Sequence, residues 1–191
     1  MENILDKTKT ALVVIDLQKG ITGMPTEPHT ADVVVANAAQ LADAFRTNKM
    51  PVFLVRVALS ADGKDALKPI TDEQTPMNFP RTPDWADIVP AMGPKEGDVI
   101  ITKRQWGAFY GTDLDMQLRR RGITTIILCG IATNIGVEST ARFAYEYGYQ
   151  QIFAEDATAA RSAAEHSHTM STVFLRIGRV RNTADIIAAL Q

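Results

Sequence analysis

Near-continuous apolar runs alternate along this chain with stretches of helical spacing, and that alternation decides most of what it can fold into. The runs lie at 11–15, 52–57, 99–102, 125–129 and 151–154, with a short candidate at 179–181. Apolar runs of this kind are the mark of parallel strands covered on both faces. Between them, 30–46 is Ala-rich, 113–121 and 134–147 carry helical spacing, and 162–175 and 183–190 complete the series. Strand and helix in alternation imply an α/β protein: a three-layer α/β/α, Rossmann-like arrangement on a mainly parallel sheet of about six strands. No repeat, low-complexity tract or linker interrupts the 191 residues, so 1–191 reads as one domain. The segment 58–97 breaks the rhythm. It holds six of the nine prolines, a density that prevents long regular elements. A loop of that length in a compact domain is expected to cap a site or reach a neighbouring subunit, so a homo-oligomer, dimer or tetramer, is expected.

Charge narrows the partners. The net charge of −2 offers no basic face for nucleic acid or an anionic membrane. No apolar run approaches the ~20 residues of a membrane span. The N-terminus lacks the basic region, apolar stretch and cleavage site of a signal peptide. Cys129 is the single cysteine, which permits no intrachain disulfide. A cytoplasmic protein acting on a small molecule is expected.

In an open parallel sheet, ligands bind beyond the carboxyl ends of the strands. Three features stand at such ends. The run 10–15 finishes in Asp16, and the run 100–102 finishes in Lys103. The run 123–128 passes through Cys129-Gly130 into a helix that opens near Asn134. Strand, tight turn and helix start together aim backbone N–H groups at one point, where a carboxylate, phosphate or developing oxyanion can be held.

The stretch 128–142, LCGIATNIGVESTAR, resembles the signature of the isochorismatase-like cysteine hydrolases, and the blocks at Asp16 and Lys103 are similar to theirs in order and spacing. The resemblance runs from about residue 9 to residue 160. It implies that Asp16 and Lys103 take the family's acid and base positions. It implies that Gly136 stands where thiol-bearing members carry the nucleophilic Cys. The oxyanion donors map to the N–H groups of Ala132 and Gly136, and the family's non-proline cis peptide maps to Ile131-Ala132. Gly136 can supply its N–H but cannot form an acyl-enzyme. Isochorismatases proper share a Gly there and cleave a vinyl ether without a covalent step, which would make Asp16 a general acid supported by Lys103. That role needs a raised carboxyl pKa, which burial favours and the Lys103 charge opposes.

Arg104, Trp106 and Phe109 follow Lys103 on its loop and are expected at the substrate. Cys129 reads as a packing residue, Ser139 as a helix hydroxyl and Glu138 as a helix-face acid. No metal and no cofactor are expected: the region 57–63 lacks the His pair of nicotinamidase relatives, and His166 and His168, two apart on a helix, do not share a face. The function these residues point to is hydrolysis of a small anionic metabolite without a thiol intermediate. Alternatives are a carboxylate-binding protein without turnover, and an amidohydrolase with a substitute nucleophile such as Ser139.

Overall fold

A computed structural model describes residues 5–72 and 82–191. The chain runs β1 (Thr10–Ile15), α1 (Lys19–Thr22), α2 (Ala31–Thr47), β2 (Val52–Val57), β3 (Val99–Lys103), α3 (Leu114–Arg120) and β4 (Thr125–Ile131). It continues through a π-type turn (Thr133–Val137) into α4 (Glu138–Glu146), then β5 (Gln150–Ala159) and α5 (Ala163–His168). A second π-type turn (Thr169–Phe174) leads to α6 (Leu175–Ile177), β6 (Arg179–Arg181) and α7 (Thr183–Ala188). The six strands form one sheet in the order β3-β2-β1-β4-β5-β6, and every pairing is parallel. The chain winds outward from β1 in one direction and then the other. The crevice between β1 and β4 is therefore the switch point where such sheets bind ligands.

Alternate side chains of the buried strands feed two cores. Leu12, Val14, Ile127, Cys129 and Ile131 pack beneath α2 and α7, with Val34, Leu41 and Phe45 of α2 as the facing stripe. Ala11, Val13, Ile15, Ile126 and Leu128 meet Leu114 and Leu118 of α3 and Ala141 and Ala144 of α4. Thr30 caps α2 by accepting from the Val33 N–H, which uses one of its orphan donors.

Two sequence expectations change at element ends. The expected helix 134–147 begins as a π-type turn, and 162–175 is α5 followed by a second such turn. β5 runs to Ala159, past the apolar run, because it bulges: Leu128 pairs with Phe153 and Gly130 with Thr158. β5 thus carries three extra residues there, and the polar Glu155 and Asp156 sit in the bulge, where a sequence reading sees a strand end. Within 58–97, residues 73–81 lie outside the described residues. The described part covers the chain after β1: the Lys19 and Gly20 N–H groups donate to the Asp87 and Trp85 carbonyls, and the Val89 N–H to that of Leu17. No helix among the described residues is long and apolar enough to cross a membrane.

Gly130 fixes the approach of β4 to β1. Its φ is 121°, and a Cβ there would lie 2.0 Å from the Ile15 carbonyl oxygen. Backbone cannot step aside as a side-chain tip can, so Gly130→Ala should lower stability by roughly 3 kcal/mol or more. Urea unfolding should show a lower midpoint with an unchanged m-value; a wild-type midpoint would show that β1 and β4 tolerate a wider spacing.

Candidate active site

Asp16 ends β1 with φ of 54°, in the left-handed region that Asp tolerates better than most residues. Its N–H still donates to the Val55 carbonyl and its carbonyl accepts from the Gln18 N–H, so the backbone turns sharply while bonded on both sides. Gln18, buried, locks that turn to the end of β2: its Nε2 donates to the Val57 carbonyl at 3.0 Å and its Oε1 accepts from the Val57 N–H at 2.8 Å. Val57 pairs in register with Lys103. No motif singles out Gln18 in the sequence.

Lys103 reaches across β2 to Asp16. Its Nζ donates to Asp16 Oδ2 at 2.7 Å and also to the Trp106 carbonyl. The pair is almost sealed, with Asp16 6% and Lys103 1% exposed. Asp16 Oδ1 is buried and has no hydrogen-bond partner. Burial is the largest influence on this carboxyl and pushes its pKa above the usual carboxylate range; the Lys103 ammonium and, more weakly, the nearby Val57 N–H oppose the rise.

Gly136 closes the third side. A Cβ built there would lie 3.0 Å from Asp16 Oδ2, 3.0 Å from Ile15 Cγ2 and 3.2 Å from Lys103 Nζ. Asp16, Lys103 and Gly136 therefore meet at one point. The Ile131-Ala132 peptide is cis, as the resemblance implies. The Ile135 and Val137 N–H groups turn back onto the Ala132 carbonyl. Buried Thr140 ties this turn to the Lys103 loop: its Oγ1 donates to the Gly136 carbonyl at 2.7 Å and accepts from the Ala108 N–H at 3.1 Å.

The other candidates are placed as follows. Trp106 reaches the pair through its carbonyl, and its side chain is exposed. Arg104 bonds Asp65 at 2.6 Å. Phe109 is buried with its ring against Tyr149 and Tyr147, as a core residue. Ser139 packs on Gly107, and Glu138 is engaged by Arg142 and Thr169. Cys129 lies in the core beneath α2, where burial pushes its thiol up to about 12.

Residues 10–185 match the Isochorismatase domain model. The chain belongs to the isochorismatase family. It is 53% identical over 186 residues to the isochorismatase family protein YecD of Escherichia coli O157:H7, covering 97% of this chain and 98% of YecD. It is 30% identical over 176 residues to the ureidoacrylate amidohydrolase RutB of Variovorax paradoxus, covering 81% of this chain and 70% of RutB. Among solved structures, an isochorismatase family protein from Burkholderia thailandensis superposes with TM-score 0.92 at 49% identity over 97% of each chain. An N-carbamoylsarcosine amidase from Thermoplasma acidophilum superposes with TM-score 0.71 at 27% identity, over 92% of this chain and 96% of its own. The six-stranded α/β fold is that of the family's hydrolases, and this chain is a hydrolase of that family.

The buried pair makes stability depend on pH. A folded-state pKa above the unfolded value means that the native state binds the Asp16 proton more tightly. Stability is then full at low pH and falls as pH rises from the unfolded value to the folded one. Lys103→Met removes the opposing charge and should deepen the fall, by roughly 3–5 kcal/mol near pH 8 and by much less near pH 5. Urea unfolding at the two pH values measures this; a loss equal at both would show that the carboxylate is not what Lys103 compensates.

Proposed function

We propose that this isochorismatase-family hydrolase cleaves a small anionic metabolite without a covalent enzyme intermediate, with Asp16 as the proton carrier. The observation that carries the reading is Asp16 Oδ1: a buried, unpartnered oxygen on a carboxyl whose pKa is raised, while the other oxygen is held by Lys103. A carboxyl whose pKa is raised keeps its proton to higher pH than a free one does and can deliver it as a general acid. No side chain stands at Gly136 to attack carbon, and the only thiol is in the core on α2's side. The substrate must then become electrophilic by protonation. A vinyl ether fits: Asp16 protonates carbon, water adds to the resulting oxocarbenium ion, and the adduct breaks down to carbonyl and alcohol. Lys103 steadies the carboxylate left behind, and the Ala132 N–H receives a substrate oxygen or carboxylate. The amidase relatives favour a second reading, C–N hydrolysis at the same three groups.

Purified protein incubated with a metabolite extract should deplete one small carboxylate. The rate should fall as pH rises through the Asp16 pKa, because the acid form is the reactive one. Asp16→Asn should reduce depletion by ~10²-fold or more. A ligand that raises the melting temperature and is never consumed would make this a binding protein instead.

Gly136→Cys tests whether the site keeps the geometry of thiol-bearing relatives. The neighbours must yield by a few tenths of an ångström, since the contacts of an added Cβ are 3.0–3.2 Å. The new thiol, beside Lys103 and the helix start, should have a lowered pKa and react with iodoacetamide at near-neutral pH while Cys129 stays unmodified. It should also suppress the native reaction. An unreactive thiol in a folded variant would remove the basis for the assignment of Gly136.

A further inference from the structure

We propose that His29, Glu155 and His166 form a binding site for a divalent transition metal of the zinc type, bracing the Ala132–Gly136 turn from outside the Asp16–Lys103 pair. The Nε2 atoms of both imidazoles converge on one carboxylate oxygen, Glu155 Oε1, at 3.0 Å from His29 and 3.1 Å from His166. The potential ligand atoms of the three residues all lie within 4.8 Å of one another. The two rings stand nearly perpendicular, 5.9 Å between centroids and 88° between planes. Two imidazoles and a carboxylate are a zinc donor set. Bonds of about 2.0–2.2 Å in tetrahedral geometry separate neighbouring donors by roughly 3.3 Å, a few tenths more than the two imidazole–Glu155 distances.

The three side chains are positioned from three elements that are fastened together. Glu155 sits in the β5 bulge, which re-aims a side chain away from the regular pleat. Its neighbour Asp156 anchors the bulge by accepting from the Thr183 N–H at 2.7 Å and, through its carbonyl, from Asn37 at 2.7 Å. His29 precedes α2 on a loop whose Glu27 forms an antiparallel bridge with Ala160 and whose Glu27 Oε2 accepts from the Ala163 N–H. His166 is on α5, started by a capping box between Ser162 and Glu165. His168, exposed, takes no part. The His166 side chain is 3% exposed, while those of His29 and Glu155 are 26% and 36% exposed. Solvent therefore reaches one side, where a water can complete the ion's shell.

Thr133 supplies the outer partner that metal-bound imidazoles generally have. Its Oγ1 lies 2.8 Å from His166 Nδ1. Without metal, the Thr133 hydroxyl donates to Nδ1 and Nε2–H donates to Glu155. With metal on Nε2, the proton sits on Nδ1 and Thr133 accepts. A hydroxyl serves either direction. Thr133 opens the turn that leads to Gly136, so the ion would be linked to the proposed anion nest through one hydrogen bond.

Chelator-treated full-length protein titrated with Zn²⁺ by calorimetry should take up one equivalent with a dissociation constant of micromolar or tighter. Co²⁺ should give visible absorption bands, and Zn²⁺ should raise the melting temperature. Glu155→Gln and His29→Gln should each weaken Zn²⁺ by roughly a hundredfold or more, and Thr133→Val by about 10–100-fold. If Glu155→Gln fails to fold, His29→Gln, on a partly exposed side chain, decides alone. Absence of uptake at ~1 mM Zn²⁺, or uptake unchanged in the variants, overturns the proposal and leaves a hydrogen-bonded staple.

Discussion

An ammonium and a carboxylate 2.7 Å apart, both nearly cut off from water, are the constraint around which the carboxyl end of this sheet is organised. Two charges in that position are costly to desolvate and hold only if their geometry is fixed and their remaining polar atoms are served. Lys103 is served by Asp16 and the Trp106 carbonyl. Asp16 is served on one oxygen only. The left-handed turn at Asp16, the two-way pairing of Gln18 with Val57, and the bonds from Lys19, Gly20 and Val89 across to the 85–89 segment and Leu17 all keep the carboxyl where it is.

The missing side chain at Gly136 leaves little empty space. Ile15, Asp16 and Lys103 approach to 3.0–3.2 Å of where a Cβ would stand. Close approach of this kind sets the Gly136 backbone directly against the Asp16–Lys103 pair. Thr140 matters for the same reason. Its hydroxyl joins the carbonyl of Gly136 to the N–H of Ala108, so the loop that follows Lys103 is tied to the turn carrying Gly136.

The His29–Glu155–His166 cluster shows how a sheet irregularity can create chemistry away from the switch point. A regular β5 would alternate Glu155 and Asp156 into opposite faces of a buried sheet, an unfavourable place for either. The bulge turns them instead toward side chains that satisfy them: Thr183 for Asp156, and the two histidines for Glu155. The same irregularity lengthens the β4 pairing to Ile131, directly before the cis peptide.

The sequence by itself determined the layered α/β architecture, because buried parallel strands must be apolar throughout and the helices between them must be amphipathic. Strand ends in a parallel sheet share one edge, and with the family resemblance this pointed to Asp16, Lys103 and the 130–136 turn as ends that can converge. Only the tertiary structure decided the rest. The π-type turns at Thr133–Val137 and Thr169–Phe174 share the apolar spacing of α-helix over one turn, so periodicity does not separate them. β5 extends beyond Ala154 because Gly130 and Ile131 offer it a partner across a bulge, a long-range pairing that no local run encodes. His29 and Glu155 are 126 residues apart, and neither belongs to a spaced motif. Their meeting depends on Glu27 bridging to Ala160 and on the bulge re-aiming Glu155, and contacts between distant segments exist only once the chain has packed.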